Sequence, residues 1–202
     1  VVNANVKKSL DPRLRFVVVG GAPCPVHVLK GFKDLGIKML EGYGLTECSP
    51  VVSVAGPKVA KIGTIGHKLP NIEIRIADAN EAGVGELQVK GPIVMRGYFN
   101  NEAATKDAFD GEWLRTGDLA SIDEQGLITI RGRKKALIVN REGKNIYPEE
   151  VENVISGDPL IADCVVVGYR IGGDPGEHVG VVVHPNEDAL TARNGGTPMP
   201  WS

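Results

Sequence analysis

Apolar positions in the first fifty residues predict strand, helix and strand in succession. Arg15–Val19 is a short β-branched run that ends at Gly20-Gly21, which is typical of a buried parallel strand. Apolar residues at helical spacing from Pro25 to Leu35 predict a helix, and Ile37–Leu40 predicts a second strand. Ligands in open α/β sheets lie outside the carboxyl ends of strands, so the residues after Leu40 are candidate binding positions.

Apolar and polar residues alternate from about residue 64 to residue 131. The alternating apolar positions are Ile72, Ile74, Ile76, Leu87, Val89 and the run Leu127–Ile130. Turn signals such as Asp78–Asn80 and Glu124–Gly126 separate them. Short strands at this spacing predict an antiparallel, barrel-like subdomain.

The pattern changes again after Gly132-Arg133. Pro148 begins a predicted helix, and Val151, Val154 and Ile155 are its predicted apolar face. The predicted strands are Leu137–Val139, Cys164–Val167 and Val179–Val183. Residues 186–202 are polar and rich in Gly and Pro, which predicts a loop or frayed end.

These patterns predict a mixed α/β and α+β fold in three parts. The first part is the end of a parallel α/β sheet region, the second is the barrel-like β subdomain, and the third is a small, incomplete α+β domain. We expect a domain boundary after residue 132, with an α/β part at 1–55 and the β part at 60–132. Residues 133–202 would form a small mobile C-terminal domain.

The composition argues against nucleic-acid binding and against disulfide or zinc sites. The 202 residues are 42% hydrophobic and 24% charged, and the formal charge is -2, so no basic surface favours nucleic-acid binding. Only 5% are aromatic, which also argues against a base-stacking surface. Three scattered cysteines give no disulfide or zinc pattern, and each is expected to be a buried or half-buried thiol in a cytoplasmic protein.

No apolar run approaches the roughly 20 residues of a membrane span, although peripheral membrane association stays open. The N-terminus has neither an initiator Met nor a signal-like apolar stretch, so we expect the chain to begin within a domain.

The stretch E-G-Y-G-L-T-E-C-S-P at 41–50 combines an aromatic ring, bare backbone, a hydroxyl and a carboxylate. Tyr43 could stack on a nucleobase, while Gly42 and Gly44 let the backbone approach a ligand. Thr46 could donate to a phosphate oxygen, and Glu47 is a hard oxygen ligand for Mg²⁺. The alternative is a strand-to-helix turn with Thr46 as its cap and Glu47 in solvent. The dinucleotide-binding glycine pattern fails, because Glu47 occupies its last position.

Two later stretches carry similar chemistry. In W-L-R-T-G-D-L at 113–119, the Asp118 carboxylate follows a Thr-Gly turn and could accept from both hydroxyls of a ribose. Its alternative is a hairpin turn in which Asp118 accepts from local backbone N–H groups. In G-R-K-K-A-L-I-V at 132–139, three basic residues precede an apolar strand, which suits a solvated edge or a charged hinge beside an anionic ligand.

Taken in this order, the three stretches resemble core motifs of the adenylate-forming enzymes, the superfamily of acyl-CoA synthetases, adenylation domains and luciferases. The matching segments are Y-G-L-T-E, T-G-D-L, G-R-K-K followed by G-K-N-I-Y-P-E-E-V-E, and V-V-V-G-G-A-P at 17–23. G-Y-G-L-T-E-C-S-P-V-V-S and G-P-I-V-M-R-G-Y-F-N-N-E-A-A-T are most similar to long-chain fatty acyl-CoA ligases. The resemblance covers roughly residues 14–185.

The resemblance implies an adenylate site in the first part of the chain. Its implied adenine-lining residues are Gly21, Ala22, Pro23 and Gly42. Tyr43 would stack on the adenine, Thr46 would touch the phosphate, and Glu47 would bind Mg²⁺.

Further roles follow from the later motifs. Asp118 would hold the ribose hydroxyls, with Arg133 beside it. Lys135 would be the hinge about which the small domain rotates between two half-reactions, and Gly143 would face the channel for coenzyme A.

The implied reaction joins a fatty acid to ATP and passes the acyl group to coenzyme A, with Mg²⁺ as metal, in lipid metabolism. Two alternatives remain. One is adenylation of another acid or transfer to a carrier-protein thiol, and the other is a non-catalytic module that keeps a partial nucleotide site.

Departures from the family pattern limit these expectations. The glycine-rich phosphate loop with its lysine and the late catalytic lysine do not occur in this sequence, and the loop Val139–Gly143 lacks the common Ser-Gly-Gly arrangement. We therefore expect these 202 residues alone to be inactive and to recognise adenosine rather than triphosphate. Acyl chain length and oligomeric state are not indicated by the sequence.

Overall fold

The computed structural model describes residues 6, 10–11, 13–57, 61–173 and 176–197. The chain folds into two compact units, Val1–Arg131 and Gly132–Ser202. The mixed α/β and α+β fold class predicted from the sequence is confirmed. None of the helices seen in these ranges is both long enough and apolar enough to cross a membrane.

The first unit is mostly strand. Its strands are β1 (Val17–Val19), β2 (Met39–Gly44), β3 (Val51–Val54), β4 (His67–Lys68), β5 (Glu73–Ala77), β6 (Gly85–Lys90), β7 (Phe109–Asp110), β8 (Trp113–Ile122) and β9 (Ile128–Arg133), the last of which ends in the second unit. The helices that lie wholly within its described residues are α1 (Val26–Asp34) and α2 (Glu102–Ala108), with a 3-10 turn at Thr46–Cys48.

Strand β2 changes its kind of pairing along its length. Its first half pairs with β1 in parallel, with Val17 opposite Met39. Its second half pairs with β3 in the antiparallel sense, with Gly42 opposite Val54. The parallel pair predicted from the first fifty residues is therefore present, and antiparallel strands β3 and β4 complete a four-stranded sheet.

The second sheet has the order β5-β6-β8-β7, with β9 also paired to β8, and it is the predicted antiparallel barrel-like subdomain. Buried side chains form two clusters. One contains Cys48, Val52, Ile72, Val89 and Leu114, and the other contains Leu87, Ala120 and Ile128. Tyr43 packs against both clusters, so β2 is joined to the second sheet through this ring.

The second unit consists of short strands and helices. They are a 3-10 turn at Lys134–Ala136, β10 (Ile138–Val139), β11 (Asn145–Ile146), α3 (Pro148–Ile155), β12 (Ile161–Tyr169), β13 (His178–Pro185) and α4 (Glu187–Arg193). Strands β12 and β13 form an antiparallel pair, and β10 pairs with β11. Cys164 and Val166 are buried on β12.

Two predictions for this unit are wrong. The predicted loop after residue 186 contains α4, because the Asn186 side chain accepts from the Ala189 N–H at 3.1 Å and caps the helix. The end of that predicted loop, 198–202, lies outside the described residues. Val154, predicted to face the core, is 79% exposed.

Candidate nucleotide site

The end of β1 lies close to the middle of β2, because Gly20 and Gly42 have no side chains there. A Cβ at Gly20 would lie 2.8 Å from the Gly42 carbonyl oxygen, so the two strands approach closely at this point. The loop of Gly21, Ala22 and Pro23 begins directly after Gly20, and Gly21 has a φ of 89°. The residues predicted to line an adenine therefore start beside Gly42.

The Tyr43 hydroxyl connects the first motif to the second. It donates to Asp118 Oδ2 at 2.5 Å, although the two residues are 75 positions apart in the chain. Burial raises the pKa of Tyr43 well above its ordinary range, and the neighbouring Asp118 carboxylate raises it further. Tyr43 is therefore a protonated donor at neutral pH, and its hydroxyl end is fixed while its ring lies between the two apolar clusters.

Asp118 lies in a bulge of β8. Between Arg115 and Leu119, β8 has three residues where β6 has only Leu87, because Gln88 pairs with Arg115 and Glu86 pairs with Leu119. The Thr-Gly-Asp sequence was predicted to be a turn, and that prediction is wrong, since the strand continues from Trp113 to Ile122. Tertiary pairing with β6 overrides the turn preference of these residues.

Hydrogen bonds satisfy the backbone of this bulge. Thr116 Oγ1 donates to the Leu87 carbonyl at 2.7 Å and accepts from the Asp118 N–H at 3.1 Å. The Gly117 N–H donates to Glu86 Oε1 at 3.2 Å, with Gly117 at a φ of 72° that favours glycine. Asp118 is only 8% exposed, so the bulge holds a nearly buried carboxylate against Tyr43.

The residues after β2 turn tightly at Thr46–Cys48. Leu45 occupies the capping position of this 3-10 turn without a side-chain bond, so the alternative in which Thr46 caps a helix is wrong. Cys48 is fully buried, and burial raises the pKa of its thiol to about 11. Cys48 is therefore a protonated core residue, as expected of all three free cysteines, while Thr46 is exposed.

Glu47 is half-buried, and its Oε1 accepts from the Tyr98 hydroxyl at 3.0 Å. Within the ranges that the structure describes, no cluster of three or more His, Cys, Asp or Glu side chains could hold a metal by itself. A single hard carboxylate nevertheless fits Mg²⁺ that arrives with a nucleotide, because Mg²⁺ commonly takes one or two protein carboxylates and completes its shell with phosphate and water oxygens.

The other predicted residues, Arg133, Lys135 and Gly143, belong to the second unit. The Arg133 N–H donates to Glu149 Oε1 at 3.2 Å, and Lys135 lies exposed in the 3-10 turn Lys134–Ala136. Gly143 has a φ of 73° in the turn between β10 and β11. The structure thus brings Gly42, Tyr43 and Asp118 together.

Three contributors were missed at the sequence level. Tyr98 holds Glu47, and Thr116 and Glu86 hold the bulge around Asp118. Thr116 and Tyr98 lie in quoted segments of the sequence, but no local signal indicates their partners, and Glu86 is brought in only by tertiary contacts.

Residues 2–99 match the family described as AMP-binding enzyme. The chain is 41% identical over 168 residues to the long-chain-fatty-acid–CoA ligase FadD15 of Mycobacterium bovis, a match that covers 83% of this chain and 27% of the relative. Residues 2–99 belong to the AMP-binding enzyme family.

Two further relatives extend this comparison. The 2-succinylbenzoate–CoA ligase of Bacillus subtilis is 37% identical over 161 residues, which are 77% of this chain and 33% of that ligase. The solved O-succinylbenzoate CoA synthetase (MenE) of Bacillus subtilis, in complex with ATP and magnesium ion, superposes with a TM-score of 0.78 at 30% identity. That superposition covers 94% of this chain and 42% of MenE, so the chain spans well under half the length of these relatives.

Proposed function

We propose that the protein carrying this chain is an AMP-forming acyl-CoA synthetase that acts on fatty acids. The observation that carries the proposal is the Tyr43–Asp118 hydrogen bond, which unites the aromatic and acidic residues of two distant motifs in one site. The 41% identity to a ligase named for long-chain fatty acids supports the acid class. The relative named for 2-succinylbenzoate supports a second candidate, a ligase for an aromatic acid.

The first half-reaction would be positioned by the first unit. An oxygen of the acid attacks the α-phosphorus of ATP, the bond from that phosphorus to pyrophosphate breaks, and an acyl-adenylate forms. Asp118 would accept from the ribose hydroxyls beside its bond to Tyr43, while the Tyr43 ring and Gly42 would contact the adenine. Holding the nucleoside rigidly would fix the position of the α-phosphate relative to the acid. Fixing two reacting groups in this way lowers the activation barrier of their reaction.

Thr46 and Glu47 would act on the phosphates. The Thr46 hydroxyl is exposed and can donate to a phosphate oxygen, and Glu47 can bind a divalent cation. Mg²⁺, when bound, would neutralise charge on the triphosphate, which otherwise repels an attacking carboxylate.

The second half-reaction would use the second unit. The sulfur of coenzyme A bonds to the acyl carbon, AMP leaves with the oxygen that joined it to the acyl group, and the thiol proton passes to solvent. Gly143 would face the pantetheine chain, which suits a residue with no atom within 4 Å of the position that a Cβ would take.

The proposed reaction can be tested with the full-length protein and a panel of acids. We expect ATP–pyrophosphate exchange that depends on a fatty acid, followed by thioester formation with free coenzyme A. Exchange that depends on 2-succinylbenzoate instead would favour the second candidate. Absence of exchange with every acid would contradict the proposal, and thioester formed only on a carrier protein would favour that acceptor.

Lys135→Pro is expected to lower thioester formation about 10²-fold while adenylation changes much less. Proline fits the first turn of a 3-10 helix as seen here but fixes φ, which opposes rotation about a hinge between the half-reactions. Lys135→Ala is the matched control, because it removes the same charge and leaves φ free. Pyrophosphate exchange and thioester formation, measured separately, decide the matter, and equal losses in both would mean that Lys135 is not a hinge.

A further inference from the structure

A loop after β6 is bound to the turn that carries Glu47. Ser49 Oγ donates to the Ile93 carbonyl at 3.0 Å, and the Met95 N–H donates to the Glu47 carbonyl at 2.8 Å. The Tyr98 hydroxyl completes the set with its 3.0 Å bond to Glu47 Oε1. Two of these three bonds end on Glu47, one on its backbone and one on its side chain.

The backbone of Tyr98 is itself anchored. Its N–H donates to Thr105 Oγ1 at 2.9 Å, and that hydroxyl donates to the Asn101 carbonyl at 2.8 Å. Gly97 passes so close to Thr105 that a Cβ would lie 2.7 Å from Thr105 Cγ2. Asn101 caps α2 through the Ala104 N–H at 3.0 Å. The start of α2 therefore fixes the position from which the Tyr98 hydroxyl reaches Glu47.

The Tyr98 bond uses one oxygen of the Glu47 carboxylate. No other hydrogen bond to this carboxylate occurs in the part of the chain that the structure describes. Its second oxygen can therefore face a cation. Because a carboxylate on a freely rotating side chain must lose that freedom on binding, holding one oxygen in advance favours binding by the other.

We propose that Tyr98 is a positioning residue that orients Glu47 for a divalent cation carried by a nucleotide. The inference rests on the metal-binding role proposed for Glu47. Tyr98 is a suitable donor, since its hydroxyl lies 3.0 Å from Glu47 Oε1.

Tyr98→Phe tests this role, because it removes the hydroxyl and keeps the ring. We expect the Mg²⁺-dependent part of ATP binding by the full-length protein to weaken about tenfold, which is typical when a partner of a metal ligand is lost. AMP binding without Mg²⁺ should stay at the wild-type value, because the adenosine contacts lie on Tyr43 and Asp118. Calorimetric titration of both nucleotides, with and without Mg²⁺, measures these quantities.

Two further variants separate the possible failures. Tyr169→Phe is the matched control, since Tyr169 is 48% exposed against 42% for Tyr98 and lies on β12, so it should bind both nucleotides like the wild type. If Glu47→Gln loses the Mg²⁺ dependence and Tyr98→Phe keeps it, the positioning role is wrong and the metal role stands. If Glu47→Gln also binds Mg²⁺-ATP normally, the metal role proposed for Glu47 fails, and the positioning role fails with it.

Discussion

Asp118→Asn is expected to weaken the binding of both AMP and ATP at least about tenfold. The carboxylate can accept from two ribose hydroxyls, and a hydrogen bond to a charged group contributes about 1.5–3 kcal/mol. The amide keeps one acceptor oxygen but has no charge, and its NH₂ group cannot accept from the Tyr43 hydroxyl as Asp118 Oδ2 does. Calorimetric titration measures the two affinities, and thermal unfolding shows whether the variant is folded.

Two further variants show whether the loss of nucleotide affinity is specific to the Asp118 carboxylate. Asp78→Asn is the matched control, because Asp78 is exposed at a φ of 51° that asparagine also tolerates, so its nucleotide affinity should equal that of the wild type. Tyr43→Phe keeps the ring and removes the donor, so its affinity should lie between those of the wild type and Asp118→Asn. A folded Asp118→Asn protein with unchanged affinity for both nucleotides would refute the ribose-binding role.

Gly44→Ala is expected to destabilise the first unit by about 3 kcal/mol or more, or to prevent its folding. A Cβ at Gly44 would lie 1.7 Å from the Pro50 carbonyl oxygen and 2.9 Å from the Val51 Cα, both of which are backbone atoms. Neither atom can move away by a change of rotamer, so the cost exceeds that of ordinary overpacking, which is about 1–3 kcal/mol. Denaturant unfolding measures the free energy of unfolding.

The same substitution at Gly31 is expected to stabilise the protein instead of destabilising it. Gly31 lies in α1 with nothing within 4 Å of its added Cβ, so alanine should stabilise the protein by about 0.5–1 kcal/mol. If Gly44→Ala unfolds at the same denaturant concentration as the wild type, the turn that carries Glu47 is more plastic than the structure shows.

Local patterns were sufficient for elements whose side chains meet a core. The helical spacing after Pro25 predicted α1, because burial of one face, on which Leu29 lies, imposes periodicity on the sequence. The β-branched run before Gly20 predicted β1, but its predicted burial is wrong, since Val18 is 54% exposed. Helix α4 has no such stripe and none of its residues is buried, so its only local signals were the cap at Asn186 and the acidic first turn.

The residues of the candidate site likewise divide into those that local sequence predicts and those that only tertiary contacts reveal. Tyr43 and Asp118 were identified separately from their chemistry, but their bond depends on a β8 bulge whose partner is β6. A Thr-Gly-Asp sequence favours a turn in isolation, and only the Leu87 carbonyl and the Glu86 carboxylate across the sheet stabilise it within a strand. The roles of Glu86 and Tyr98 follow from pairing and packing, which one sequence does not display.

The change of pairing along β2 has a consequence for cooperativity. Gly42 and Tyr43 pair in the antiparallel half of the strand, directly after the half that pairs with β1, and Tyr43 packs against both apolar clusters. Local unfolding of this segment would have to break the four-stranded sheet and its packing against both clusters at once, so its opening free energy approaches that of the whole first unit. The backbone proposed to contact adenine is thereby rigid, and any mobility needed for the entry of a nucleotide would reside in the residues around it.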